Sequence, residues 1–466
     1  MKIPRNSNHG NSLCSSIVFV VCCLLLTSLL LPKIARQRAA ARASVCADNL
    51  KQLGLAIHNY HAAYRQLPQG TGGTVGADDE KLNNAGRLGP LVGILPFIEE
   101  QQLWETISNP YISPKTKDSF PPMGPVPWYD ASVYQPWGQS PSTYQCPDNA
   151  PQVNEVPKQQ VVYTLTVPGS GNVGVMANYV ACYGDGTLNA GKLLDQRDVD
   201  AMRQSRASNR GMFQASQQTK FRDILDGLSN TLMFSETVSS VEGKRGISGI
   251  AKDIANLSEN PSLCLAAAKD PVTKWWPQGR GSRWSDGLLA TSGFQTVLPP
   301  NSPSCTSEAG IFDSVVAASS RHDGGVHVLM GDGAVKFVTN QIDCGDSTMP
   351  GVAVGRTGKS APGAPSPYGV WGALGSRASK EIIEEQFDQP PMGDIRDRFI
   401  AKPAAETSRW TSKDGKQTLS ASFVRIIDKK TIELKSASGT LHQVPLNTLS
   451  DKDIYRAVEL DLMDAH

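Results

Sequence analysis

The chain has 466 residues, enough for two or three domains. Its 45 Lys and Arg balance 44 Asp and Glu, which leaves no overall field to hold a polyanion. Nucleic acid is therefore excluded as a leading partner: the dense cationic stretch, Lys33 to Arg42, directly follows an apolar run, where lipid headgroup phosphates are the expected neighbours.

That run comes first in chain order. Leu13 to Leu31 is 19 residues without a charge, Pro or Gly, and as a helix it reaches about 28 Å, the thickness of a bilayer core. A cleaved secretory signal has a shorter apolar region, of about 7–15 residues, and ends in a small-x-small site. Here Pro32-Lys33-Ile34-Ala35-Arg36 follows, so a retained transmembrane anchor is expected. Basic residues flank both sides, and the positive-inside rule does not choose an orientation.

From Ile34 to Tyr64 the sequence keeps helical character. Cys46, Leu50, Leu53, Ile57, Tyr60 and Tyr64 recur at spacings of four and three, with Lys51, Gln52 and Asn59 off the stripe. One long helix is expected whose outer half packs on a domain and which ends at Leu67-Pro68-Gln69-Gly70. His58 and His61 lie three apart, but no third ligand is near in sequence, so packing is their expected role.

Beyond the helix, segments 71–76, 110–141 and 352–369 are heavy in Gly, Pro and Ser and read as long surface loops. Trp128, Tyr129, Tyr134 and Trp137 lie in the second of them, either as a contact surface or folded back on their own domain. A short helix ends on Gly227, and a strand runs from Thr231 to Val238. Asp226, Asn230 and Glu236 offer oxygen ligands suited to calcium, without EF-hand spacing. Val326 to Met330, Gly331-Asp332-Gly333 and Ala334 to Val338 form a β-hairpin signature, with Asp-Gly supplying the turn. His322, beside Asp323-Gly324-Gly325, either caps a turn or serves as a metal ligand or pH sensor.

Nine cysteines divide into Cys14, Cys22 and Cys23 in the apolar run and Cys46, Cys146, Cys182, Cys264, Cys305 and Cys344 beyond it. Without a CxxC pair these six argue against zinc and suit disulfides in an oxidising compartment, with the connectivity left open. No GxSxG, HExxH, P-loop or dinucleotide fingerprint is present, and the chain is not expected to be an enzyme.

Glu381 to Phe387 reads as a short acidic helix and Gln389 to Ala405 as a linker. Arg409 to Thr411, Leu419 to Ile427, Thr431 to Ser436 and Leu441 to Val444 then alternate as short strands. Trp410, Leu419, Ala421, Phe423, Ile432, Leu434 and Leu441 are their expected inward-facing residues.

Several blocks in order carry a resemblance. They are Cys46-Ala47-Asp48-Asn49-Leu50-Lys51-Gln52-Leu53-Gly54, Leu95-Pro96-Phe97-Ile98-Glu99-Glu100-Gln101, Tyr144-Gln145-Cys146-Pro147, Asn178-Tyr179-Val180-Ala181-Cys182, Asp226-Gly227-Leu228-Ser229-Asn230-Thr231 with Glu236, and Pro300 to Cys305. His322 follows, with nine residues between it and Asp332-Gly333. Together, over roughly 45 to 385, they resemble the large bacterial family of prepilin-like proteins of unknown function related to the major pseudopilin of type II secretion. The resemblance implies a methylation-type helix with a cytoplasmic N-terminus and an extracytoplasmic domain. It also implies prepilin cleavage between Gly10 and Asn11. Counted from that cut, Ser15 stands where such proteins carry the Glu that guides filament assembly. Arg409-Trp410-Thr411, Lys429-Lys430 and Val444-Pro445-Leu446-Asn447 resemble the SLA homology domain, an SH3-like barrel. That resemblance implies peptide binding near Trp410, Lys429 and Lys430.

The expected fold is α+β: a long transmembrane, pilin-like helix packed on an antiparallel sheet with long loops, plus a small C-terminal SH3-like barrel. The expected divisions are a cytoplasmic tip and transmembrane helix (1–34), an ectodomain (35–385), a linker (386–405) and the barrel (406–462). The expected function is that of a single-pass envelope protein in assembly or protein contact, linked to type II secretion or type IV pilus-like systems. Its partners are the bilayer, other envelope proteins or further copies of itself, and a short peptide at the barrel. No cofactor is expected other than the calcium alternative. A monomeric, membrane-tethered receptor for peptide or glycan is the second reading.

Overall fold

The computed structural model describes residues 9–76, 78–149, 165–167, 170–173, 176–194, 198–215, 217–240, 245–381, 383, 408–413, 418–427, 431–436 and 440–449. Residues 9–36, the 165–173 segment and most of 408–427 are described as backbone alone. The chain divides into two compact units, Met1–Pro391 and Met392–His466.

The first unit opens with α1 (His9–Tyr64), a single helix of 56 residues that runs through Pro32. The anchor stretch Leu13–Leu31 and the cleavage pair Gly10-Asn11 lie where side chains are outside the described residues. Among the residues described in full, no helix is long and apolar enough to cross a membrane. In the outer half the expected stripe is present: Cys46, Leu50, Leu53 and Ile57 are fully buried, joined by Ala56. It fades at the far end, where Tyr60 is half-buried and Tyr64 exposed, the two rings lying against each other and meeting Phe97 in T-shaped contacts. The helix stops as Arg65 turns to φ +60°, and Leu67 N–H then donates to Thr219 O at 2.7 Å.

Two short hairpins follow, β1 (Tyr111–Ile112) with β2 (Ser119–Phe120) and β3 (Leu165–Val167) with β4 (Ser170–Val173). The main sheet contains β5 (Tyr179–Cys182) and β6 (Leu232–Glu236). A second sheet starts with β7 (Ile250–Ile254), after which β8 (Gly293–Phe294) returns to the first. β9 (Ser304–Ser307) and β10 (Gly310–Val315) complete the second sheet, and β11 (Gly325–Met330) and β12 (Val335–Thr339) complete the first. The orders are β12-β11-β6-β5-β8 and β10-β9-β7. A purely antiparallel sheet was expected, but β5–β8 and β7–β9 are parallel. Each pair is separated by a long stretch of chain, which a parallel crossover needs and a hairpin does not.

α1 lies against the β11–β12 hairpin. A Cβ added at Gly54 would lie 3.0 Å from Leu329 Cδ1 and 3.4 Å from Gly333 Cα. Glycine costs a helix interior up to about 1 kcal/mol, and here it permits close approach of helix and hairpin. In the 110–141 loop the aromatics fold back inward. Tyr134 and Trp137 are fully buried and Trp128 and Tyr129 partly so, with Tyr134 and Trp137 5.1 Å apart and Trp137 6.0 Å from Trp284. Disulfides join Cys46 to Cys146 and Cys264 to Cys305, while Cys182 and Cys344 are free thiols.

Helix 381–387 and linker 389–405 lie outside the described residues except Glu381 and Ile383, neither of which is helical. The second unit is a four-stranded antiparallel meander of β13 (Ser408–Thr411), β14 (Thr418–Ile427), β15 (Thr431–Ser436) and β16 (Leu441–Pro445). The expected strands are therefore present, but among the described residues they form an open sheet, not a closed barrel. A closed barrel needs its first and last strands paired, and one isolated bridge, Ser412 to Leu449, joins the flanks of β13 and β16. Trp410, Ile432 and Leu434 are buried as expected, whereas Leu441 is 54 % exposed. It occupies the first position of edge strand β16, with no strand beyond it among the described residues.

Candidate functional site

The most concentrated chemistry in the molecule lies where α1 meets the head. The His322 loop is held by Ser320, whose Oγ donates to Gly325 O at 2.6 Å and accepts His322 N–H at 3.1 Å. Asn301 Oδ1 accepts the Ser320 N–H at 2.8 Å, and Gly324 takes φ +79°, the left-handed region where glycine is at ease. The Cys146 loop is held by Asn178, whose Oδ1 accepts Cys146 N–H at 2.9 Å. Tyr179 OH donates to Cys46 O at 3.1 Å, and Asn49 Nδ2 donates to Gln145 O at 2.9 Å.

This framework brings Glu236 (end of β6), His322 and His327 (β11) together beside the Cys46–Cys146 bond. Glu236 Oε1 lies 3.0 Å from His322 Nε2 and 3.1 Å from His327 Nδ1, and Glu236 Oε2 accepts the His327 backbone N–H at 2.8 Å. His322 Nδ1 lies 3.0 Å from Asp148 Oδ2, and Asp148 is in turn paired with Arg42 of α1. Cys146 Sγ is 3.9 Å from His322 Nε2. The side chains of His322 and Glu236 are only 5 % and 2 % exposed.

With a carboxylate facing each ring nitrogen, His322 must donate from both, which is the imidazolium form. Burial alone would lower its pKa, yet the hydrogen bond and charge of Glu236, with Asp148, leave it raised above 6.5. For Glu236 burial would raise the pKa, and the two histidines outweigh it, leaving it below 4.5. The cluster is a buried network in which each charge has its counter-charge.

The ligand atoms of Cys46, Cys146, Glu236 and His322 lie within 4.8 Å of one another, a constellation with metal-ligand chemistry. With the two sulfurs bonded to each other, only one carboxylate and one imidazole remain as donors, and these are already bonded to one another. The proposed calcium set is differently arranged. Asp226 Oδ2 accepts from Ser376 Oγ at 3.0 Å and Ser379 N–H at 2.9 Å, and its backbone carbonyl accepts Asn230 Nδ2 at 3.1 Å. Glu236 keeps company with the histidines and is not grouped with Asp226 or Asn230.

The other half of the His322 spacing lies at the far end of β11. Asp332 Oδ1 accepts the Ala334 N–H at 2.9 Å and Gly333 takes φ +90°, the turn chemistry expected of Asp-Gly. There His58 Nε2 lies 2.9 Å from Gly331 O, and His58 and His61 pack on Phe221, the packing role expected of them. A strand of six residues spans roughly 20 Å and the twelve residues from Cys46 to His58 rise about 18 Å. The nine residues between His322 and Asp332 thus place one contact at each end of the face shared by strand and helix. In the second unit Trp410 is 1 % exposed, so its indole is core and not surface. Lys429 and Lys430 lie outside the described residues.

Asp148, His327 and Arg42 were not singled out as site residues from sequence. The available signals were short-range: Asp148 is two residues from Cys146, and His327 follows His322 by five, at the start of an alternating strand.

The fold and this junction define an α+β head bonded to a helical stem. The chain belongs to the family described as "Protein of unknown function (DUF1559)", whose model matches residues 35–345, about two thirds of its length. No curated protein and no solved structure matches it significantly.

Proposed function

We propose that this protein is a membrane-anchored, non-enzymatic, pilin- or pseudopilin-like envelope protein that acts in assembly or protein contact outside the cytoplasm. The observation that carries this reading is the continuity of α1, one helix from His9 to Tyr64. Its first half bears the 19-residue apolar run, and its second half bears the stripe that packs on the head. Two disulfides suit an oxidising compartment. The head then stands on a stem that leads directly into the bilayer, and the C-terminal sheet offers a second surface for protein contact.

The test is the mass and N-terminal sequence of the protein purified from its native membrane. A chain that resists alkaline carbonate extraction and begins at a methylated Asn11 supports prepilin processing and filament-type assembly. Recovery in the soluble fraction overturns the reading. An intact Met1 on a membrane-retained monomer favours the tethered receptor, for which Ser15 in place of the filament-guiding Glu is the specific observation.

A further inference from the structure

Away from the junction, the head carries an open cleft of about 240 Å³ that the reading above does not use. Ile250 and Leu288 contribute apolar surface, and Trp128 and Trp276 line it as well. Both indoles are held in orientation by the protein: Trp128 Nε1 donates to Glu80 Oε1 at 2.9 Å and Trp276 Nε1 to Thr306 Oγ1 at 2.8 Å. Their N–H groups are thus already satisfied, and each ring carries a cation of the protein over it, Arg87 at 5.1 Å from Trp128 and Lys252 at 5.4 Å from Trp276, so what they offer a ligand is their remaining apolar surface.

The charge balance of the cleft is uneven. Two guanidinium groups, Arg87 and Arg283, line it; the Asp286 carboxylate lies close to them, the Glu80 carboxylate is bonded to Trp128, and Lys252 Nζ sits 5.4 Å from the centre of the Trp276 ring. Asp286 is taken by Arg87, through Nε at 3.0 Å and Nη2 at 2.8 Å, and it also accepts the Leu288 N–H at 3.0 Å. Arg283 is left over. It is 8 % exposed, its Nε is buried without a partner, and no described residue accepts a hydrogen bond from its guanidinium. Burial holds its pKa below the usual arginine value. Asp286, hydrogen-bonded to Arg87, offsets that burial only in part, and an anion bound at the guanidinium would offset the rest. Gln278, also in the lining, adds an amide donor.

We propose that this cleft is a binding site for an organic carboxylate carried on an aromatic body, the carboxylate paired with Arg283 and Gln278 and the ring packed against the Trp128 and Trp276 side. A lining guanidinium without a hydrogen-bonded counter-ion, set among mostly apolar side chains, selects this class. A neutral sugar would need more hydrogen-bond partners than Gln278 and Thr291 supply, and inorganic phosphate would leave the apolar surface unfilled. Arginine presents its donors in a planar fork that matches a carboxylate with two parallel hydrogen bonds.

The test is isothermal titration calorimetry of the full-length chain in detergent with 3-phenylpropionate, 3-phenylpropanamide and a tripeptide ending in Phe with a free carboxylate. The acid is expected to bind at least about tenfold more tightly than its amide. Arg283→Met should abolish that preference while leaving the melting temperature unchanged or higher, since it removes an unpaired buried charge. Tighter binding of the tripeptide would identify a chain terminus as the source of the carboxylate, and its exclusion would identify a small molecule. Equal binding of acid and amide, no binding of the acid at millimolar concentration, or an unchanged acid preference in Arg283→Met would each overturn the proposal.

Discussion

The two ends of the contact between α1 and β11 are built on different physics. Around Cys46 the helix is held by a covalent bond and by a chain of ionised groups that runs from the exposed Arg42 through Asp148 to the buried His322 and Glu236. Around Gly54 and His58 it is held by close packing on Leu329 and a hydrogen bond to Gly331 O. The first end should therefore respond to reductant and to pH, and the second mainly to side-chain volume.

The largest effect is expected from the covalent tie. Replacing Cys46 and Cys146 together with Ala removes a link across 100 residues, for which the chain-entropy account gives about 4–5 kcal/mol. Urea unfolding of the double variant measures it, and a loss below about 1 kcal/mol would show that the bond is not what secures this end.

Next comes Glu236→Ala, which leaves His322 and His327 without their shared buried acceptor and should cost about 3 kcal/mol or more. The wild type should show the matching pH dependence. His322 has a raised pKa, so its contribution is complete below 6.5 and is lost as pH rises through the folded value. Glu236 has a depressed pKa, so its contribution is complete above 4.5 and is lost as pH falls through the folded value. Stability attributable to the junction should peak between these limits and decline on the alkaline side. A flat profile from pH 5 to 9, or one unchanged by Glu236→Ala, would contradict the assigned charges.

A smaller loss, about 1–3 kcal/mol, is expected for Gly54→Val, since its branches would overlap Leu329 at a site already in tight contact. Comparing this loss at pH 5.5 and pH 8.5 sharpens the contrast between the two ends. It should be the same at both values, whereas the loss from Glu236→Ala should shrink at the higher one.

How much of this was legible in the sequence follows the range of the interactions. The buried stripe of α1, the Asp332-Gly333 turn and the four C-terminal strands are local patterns, and each is present at or within a residue or two of its expected place. The partners across the junction are not local: Cys46 and Cys146 are 100 residues apart, and Glu236 meets histidines 86 and 91 residues away. No period or spacing encodes such meetings. Glu236 was expected beside Asp226 and Asn230 because they are near in sequence, yet β6 carries it to the opposite end of the strand. Leu441 followed the alternating pattern of an inward residue and is exposed because an edge strand lacks the neighbour that would cover it. The Arg283 cleft was illegible for the same reason, since its lining comes from segments separated by more than a hundred residues.

One measurement addresses both the covalent tie between head and stem and the proposed anchoring of that stem in the membrane. A site-specific protease sequence inserted at the exposed Gly76, which has open space around it, allows the chain to be cut between α1 and the head in native membranes. After cleavage and a urea wash the head should remain in the membrane pellet without reductant and move to the supernatant when a dithiol is added. Release of the head without reductant would contradict the Cys46–Cys146 tie, and a soluble uncut chain would contradict the anchor.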